Sequence, residues 1–206
     1  MQICGIDDAG RGSMLGPLVI AGILIDKKKL RKLSLLGVQD SNKLSPKQRE
    51  YLFDKIKELS DGYFISRIYP KSIDASVKKH QLNNLEAKHM AKVVVKLNPD
   101  ISYVDSCDVN ASRFGKEISM LSNHHKIKSY HHADSRFIVV SAASILAKVA
   151  RDRSILKIKQ IHDVGSGYPS DSTAVKFVKQ YFLENGNMPN FVRKSWKPVQ
   201  KILNEN

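Results

Sequence analysis

A short apolar run, Ile3-Cys4-Gly5-Ile6, ends in two adjacent acids, Asp7 and Asp8, and opens onto a glycine-arginine-glycine loop, Gly10-Arg11-Gly12. The run reads as a strand, and consecutive residues on a regular strand point to opposite faces. For both carboxylates to serve one site the strand must end or bulge there, which Gly10 and Gly12 permit. Like charges this close raise each other's pKa unless a cation neutralises them. All-oxygen ligands suit hard divalent ions such as magnesium or manganese. The loop beyond suits an anion: its glycines admit close backbone approach, and Arg11 can fork onto a phosphate. Acids for a metal beside an arginine for phosphate point to phosphodiester chemistry. Alone, the octapeptide also fits a solvated strand end with Asx-type hydrogen bonds.

The rest of the chain repeats the pattern. Residues 2–8 and 18–25 read as neighbouring strands, 62–69 as a third strand stopped by Pro70, 101–105 as a fourth ending in Asp105, and 126–130 as a short fifth. Ser45-Pro46-Lys47-Gln48 is a helix start with a capping box, after which Tyr51, Leu52, Ile56 and Leu59 share one apolar face. Further helices are predicted over 82–97, 111–121, 139–161, 173–183 and 197–203. Three strands in succession suit an antiparallel meander, and two more, each reached through a helix, suit parallel additions. The predicted fold is α/β: a mixed five-stranded sheet flanked by helices, with a small helical C-terminal appendage. The boundary falls between a catalytic domain over 1–163 and an appendage over 164–206 that contributes to substrate binding.

If the first and fourth strands are neighbours, Asp7 and Asp105 lie side by side at one sheet edge. Asp134, in His131-His132-Ala133-Asp134-Ser135-Arg136, then enters from the loop before the long helix. Four converging carboxylates suit one or two divalent ions, one activating water and the other stabilising the leaving oxygen. No other grouping competes. The pairs His124-His125 and His131-His132 lack a recognisable zinc spacing and read as surface or loop residues. No GxSxG elbow, GxGxxG turn or Walker loop is present.

Composition supports a polyanionic partner. The net charge is +14 and the pI near 9.7, a balance that favours nucleic acid. From Lys126 onward Lys and Arg outnumber Asp and Glu more than two to one. Cys4 and Cys107 have no metal spacing and read as reduced thiols of a cytoplasmic protein. No apolar run is long enough to span a bilayer, and the N-terminus lacks a secretory pattern, so no membrane role is expected.

These motifs carry a resemblance. The chain resembles type 2 ribonuclease H, ribonuclease HII, of the archaeal single-subunit kind, over nearly its whole length. The resemblance rests on residues 5–12 with Gly16-Pro17-Leu18-Val19, on Asp40-Ser41-Asn42-Lys43-Leu44, and on Tyr103-Val104-Asp105. It continues through Ala133-Asp134, residues 140–149, Arg151-Asp152 and Gly165-Ser166-Gly167-Tyr168-Pro169-Ser170-Asp171. It implies a ribonuclease H-like fold and a monomeric endonuclease using Mg2+ or Mn2+. It also implies cleavage of RNA in RNA–DNA hybrids and incision at ribonucleotides embedded in duplex DNA. By matching motifs, Asp7, Asp8, Asp105 and Asp134 take the catalytic metal-ligand roles. Gly10, Arg11 and Gly12 take the loop that senses the ribose 2′-hydroxyl, and Tyr168 the aromatic position that packs on the sugar. Lys43, Lys148 and Arg151 lie in family motifs and could hold phosphates.

One position departs from the family pattern: the second acid is usually glutamate, and here it is Asp8, shorter by one methylene. Some relatives carry a sliding-clamp peptide at the C-terminus. Gln200 and Leu203 have part of its spacing, but no aromatic pair follows, so clamp binding is not expected.

Overall fold

The computed structural model describes residues 1–39 and 41–204. Asp40 of the 40–44 motif, and the side chain of Asn42, lie outside the described residues.

The described residues form five strands: β1 Gln2–Ala9, β2 Leu18–Asp26, β3 Gly62–Ile68, β4 Ile101–Asp105 and β5 Ile127–Tyr130. They make one mixed sheet in the order β3-β2-β1-β4-β5. The pairs β1–β4 and β4–β5 are parallel, with Ile6 opposite Val104 and Asp105 opposite Tyr130. On the other side, Lys27 N–H donates to the Met1 carbonyl and Asp61 N–H to the Leu24 carbonyl. The end of β2 thus meets the starts of β1 and β3, as an antiparallel meander requires.

The helices are α1 Leu30–Leu35, α2 Pro46–Leu59, α3 Pro70–Val77, α4 Leu82–Leu97, α5 Ala111–Ser122, α6 Ala133–Arg136, α7 Ile138–Lys159, α8 Ser172–Asn185 and α9 Lys197–Asn204. The capping box of α2 forms as its sequence dictates: Gln48 N–H donates to Ser45 Oγ, and Ser45 N–H donates to Gln48 Oε1. Its buried face is Leu52, Phe53 and Ile56, while Tyr51 is exposed. Apolar spacing does not separate the two aromatics. A helical step of about 100° per residue does, because it carries Tyr51 off the stripe shared by 52, 53 and 56. Pro70 ends β3 and also starts α3, a helix the sequence reading omitted; proline suits the first helical position because its missing N–H is an orphan there anyway.

Two close approaches define the layers on the sheet. A Cβ on Gly5 would lie 2.2 Å from the Val139 carbonyl oxygen, so α7 begins directly against β1. A Cβ on Gly22 of β2 would strike Val93 of α4, and Ile6 lies on that same side. Since Gly5 and Ile6 point to opposite faces, α7 and α4 cover opposite faces of the sheet.

Packing divides the chain into two compact units: Met1–Ala9, Ile20–Ser66 and Asn83–Val149 in the first, and Gly10–Val19, Arg67–Leu82 and Ala150–Asn206 in the second. The first unit's core includes Cys4, Ile6, Ile23, Val93, Val104, Phe114 and Leu146, all at or near zero exposure. Each such burial stabilises by roughly 1.5–3 kcal/mol for the larger side chains. In the second unit Met14 and Leu15 join Ile155, Val164, Val178, Val192 and Val199 in one apolar cluster. The predicted boundary at 163/164 therefore does not follow the packing. The segment 164–206 draws its core partners from residues far away in sequence, which a linear reading of composition does not reveal.

Candidate active site

Parallel pairing brings the acids together. Ile6 sits opposite Val104, so Asp7 and Asp105, one residue further on, emerge side by side, Asp7 two residues before the end of β1 and Asp105 at the end of β4. Asp7 shares the α7 face with Gly5. The Asp105 carboxylate accepts the N–H of Ala133, which anchors the first turn of α6 and sets Asp134 beside it. The turn is entered through His132, whose φ of 53° lies in the left-handed region. The Ser141 hydroxyl of α7 donates to the Asp134 carbonyl and ties α6 to the long helix. The result is a cavity of about 330 Å3 lined by Asp7, Asp8, Asp105, Asp134, His132, Ser135, Ser144 and Lys148.

Asp7 is 5% exposed. Burial pushes its carboxyl well above the usual range, and the neighbouring charges of Asp8 and Asp105 push it further. Hydrogen bonds from the Ser144 hydroxyl and from Asp8 N–H, at 2.7 Å, oppose this shift. Asp105 is also raised, chiefly by burial and also by the charge of Asp134, against the stabilising Ala133 N–H. Lys148 Nζ donates to Ser41 Oγ at 2.6 Å, and Ser41 Oγ lies 2.9 Å from Ser144 Oγ. A polar relay thus runs from the cavity's lysine through two buried serines to Asp7. Among the described residues, no three His, Cys, Asp or Glu side chains close on a single point at ligand distance. The donor set nonetheless fits a hard divalent ion: four carboxylates, one buried and repelled by its neighbours, are what such an ion stabilises.

The second unit holds the glycine loop. Gly10 has φ +85°, and a Cβ there would press on the Pro17 carbonyl and on Arg151, so the turn needs glycine. Gly12 is exposed, its φ lies outside the left-handed region, and a Cβ there would meet nothing within 4 Å. The loop is held by two buried arginines. Arg193, with no exposed surface, donates to the carbonyls of Arg11 (2.9 Å) and Gly16 (3.2 Å). Arg151, 4% exposed, donates to Ser13 Oγ at 2.9 Å and to the Ser166 carbonyl. The half-buried Tyr168 ring stacks on the Arg151 guanidinium, 4.3 Å from ring centre to Cζ.

Residues 4–199 match the family model of ribonuclease HII. The chain belongs to the ribonuclease HII family. It is 54% identical to the ribonuclease HII of Cenarchaeum symbiosum (strain A), over 98% of both chains. It is 50% identical to that of Thermococcus sibiricus (strain DSM 12597 / MM 739), over 98% of this chain and 91% of the relative. The crystal structure of the ribonuclease H2 from Pyrococcus horikoshii OT3 superposes with a TM-score of 0.92 at 41% identity, covering 100% of this chain and 98% of that one. The ribonuclease HII of Archaeoglobus fulgidus, solved as a complex with PCNA, superposes at 0.88 and 35% identity, covering 97% and 96%. As a ribonuclease HII the chain is a nuclease with ribonuclease H activity on RNA–DNA hybrids.

The ribonuclease HII site collects the sequence-derived candidates unevenly. Asp7, Asp8, Asp105, Asp134 and Lys148 line one cavity. The strand does not end at the acids as expected: Asp8 is part of β1, which runs one residue past it to Ala9, and both carboxylates still line the cavity. Lys43 is exposed at the end of a 3-10 turn. Arg151 differs from expectation: its guanidinium is buried and both its Nη groups are bonded, to Ser13, Ser166 and Asp152, so it supports the loop instead of standing open to a phosphate. Sequence reasoning missed His132, Ser135, Ser144 and Ser41. Of the two histidine pairs read as surface residues, one contributes His132 to the cavity; its position two residues before Asp134 was the available signal.

Proposed function

We propose that this enzyme cleaves the RNA strand of hybrids, and incises duplex DNA at embedded ribonucleotides, with Mg2+ or Mn2+ held by Asp7, Asp8, Asp105 and Asp134. The products carry 3′-hydroxyl and 5′-phosphate ends. The observation that carries the reading is Asp7, buried among carboxylates whose combined charge a divalent ion would offset. When bound, such an ion supplies activation of water and stabilisation of the leaving oxygen.

The chain's own residues do the rest. The Ser144 and Asp8 N–H hydrogen bonds orient the Asp7 carboxylate. The Ala133 N–H orients Asp105. Lys148, held by Ser41, supplies a cation at the cavity wall for a substrate phosphate, and the exposed Lys43 is a second phosphate contact. Gly12 is glycine although neither space nor φ in the folded chain requires it, which suits a backbone that a ligand must approach closely. With Gly10 and Arg11 it is assigned to the ribose 2′-hydroxyl, the group that separates RNA from DNA. Tyr168, backed by Arg151, is assigned to the sugar.

The enzyme is proposed to act as a cytoplasmic monomer; no described helix is long and apolar enough to cross a membrane. The A. fulgidus relative was solved with PCNA. Here Ile202 and Leu203 pack against the second unit's own core, which argues against clamp binding through these two side chains; titration with a sliding clamp checks it.

The central test compares an RNA–DNA hybrid, a duplex with one ribonucleotide and an all-DNA duplex, in magnesium and in manganese, with Asp7→Asn as control. Cleavage of the first two only, lost in the control, supports the reading. Absence of product in both metals, or an active Asp7→Asn, overturns it.

A further inference from the structure

A second cavity, of about 810 Å3, lies wholly in the second unit and shares no residue with the carboxylate cavity. Arg67, Tyr69 and Lys71 line it around the start of α3, Arg153 and Lys157 line it from α7, and Phe191 completes the wall. The four cations are all exposed, and among the described residues no aspartate or glutamate lines the cavity. Arg153 and Lys157 are four apart on one helix, a like-charge spacing that works against the helix. Asp74, on α3, is committed elsewhere: it accepts the N–H groups of Lys194 at 3.1 Å and Ser195 at 2.9 Å. Tyr69 precedes Pro70 at the N-terminus of α3 without a side-chain cap, so the helix brings its positive end to the same wall.

Concentrated positive charge without carboxylates calls for an anion. The rings narrow the choice. Tyr69 is 60% exposed, and an exposed ring beside Phe191 in a cationic groove offers a stacking surface for an unpaired base. A duplex hides its base faces, whereas a single strand offers both backbone charge and free faces. We propose that this groove binds single-stranded nucleic acid without sequence preference, its phosphates on Arg67, Lys71, Arg153 and Lys157 and a base on Tyr69 or Phe191. The site binds without cutting, and would hold an unpaired flank of a substrate or a displaced strand.

The test is fluorescence anisotropy of a labelled dT oligomer of roughly 12 nucleotides, titrated with the full chain at several salt concentrations. Lys71→Ala/Lys157→Ala is expected to weaken binding at least about tenfold and to flatten the log K against log salt slope by about 1.4, two contacts at roughly 0.7 each. Tyr69→Leu keeps the charges and is expected to weaken binding roughly tenfold with the slope unchanged, as loss of one stacked base predicts. Thermal melts confirm that both variants are folded. Binding equal to the parent in both variants overturns the proposal. So does displacement of dT by polyglutamate of equal charge with no effect of Tyr69→Leu, which would make the groove a surface for acidic polypeptide. The nuclease reading is scored separately: Asp7→Asn should lose hybrid cleavage and keep dT binding. Groove-dependent dT binding by a chain that cleaves nothing would sink that reading and leave this one standing.

Discussion

Asp7 and Arg193 are both buried ionisable groups, one in each compact unit, and the fold treats them in opposite ways. Arg193 has its charge spread over the carbonyls of Arg11 and Gly16 and stacks on Trp196. Asp7 has two hydrogen bonds, but faces the charges of Asp8 and Asp105, and its carboxyl is pushed up. The arginine is part of the scaffold; the aspartate keeps a repulsion that the proposed cation would offset. The same contrast separates Arg151, bonded inside its unit, from Lys148, which lines the carboxylate cavity. In a chain this basic, positive charge alone does not mark substrate contact. The partners already engaged decide.

The contrast is most directly broken at Asp7. Asp7→Asn should lower hybrid cleavage by about a thousandfold or more, since several kcal/mol of transition-state stabilisation are at stake and about 1.4 kcal/mol is worth tenfold. The same change should raise the melting temperature measured in chelator, because a buried repelled charge is gone. Magnesium should raise the parent's melting temperature and leave Asp7→Asn nearly unmoved. A variant both inactive and less stable in chelator would break the comparison.

Arg193→Met tests the other side. It strands two buried carbonyls, at roughly 1–3 kcal/mol each, so a loss of about 4 kcal/mol is expected in urea unfolding. Unfolding at the parent's midpoint would show that the guanidinium is dispensable. Gly12→Ala should change stability by under about 0.5 kcal/mol, because its Cβ enters open space. Incision at a single ribonucleotide should nevertheless fall roughly tenfold to a hundredfold, as expected when a reacting group is displaced by about an ångström. Unaltered incision would remove Gly12 from the ribose contact. Asp8→Glu should keep or exceed the parent rate; complete loss would show that this site is tuned to the shorter side chain.

The smallest effect is the response to acid. Arg113 beside Asp108, and the Ser166 and Thr173 N–H groups beside Asp171, hold these carboxyls down to about 2. Their stabilisation is present above the usual carboxylate value of about 3.9 and is lost as pH falls from there toward 2. Asp7 runs the other way: its raised pKa favours folding at low pH, and that favour is lost as pH rises. Melting temperatures of the chelated protein should therefore fall less steeply below pH 4 in Asp171→Ala than in the parent. Parallel curves would count against the Asp171 contribution.

Much of this was legible along the chain. The capping box at Ser45, the five strands and the acid at the end of β4 follow from local patterns of charge, spacing and turn residues. The omitted helix α3, the choice of Phe53 over Tyr51 and the role of His132 also had local signals, in Pro70, the helical step and the nearby Asp134, which apolar spacing alone does not bring out. Ser41 and Ser144 look like ordinary small polar residues, yet folding places their hydroxyls 2.9 Å apart between Lys148 and Asp7.

By itself the sequence determined the sheet, its strand order in outline, and which carboxylates would gather at its edge, because strand ends and parallel pairing follow from local apolar runs and the helices between them. Only the tertiary structure decided which charges are engaged. Arg151 and Lys148 sit three residues apart on one helix, a spacing that keeps them on one face, yet one meets Ser13 and Ser166 and the other Ser41 and the carboxylate cavity. Whether a cation braces the fold or faces a substrate is set by these long-range partners, and spacing along the chain carries no record of them.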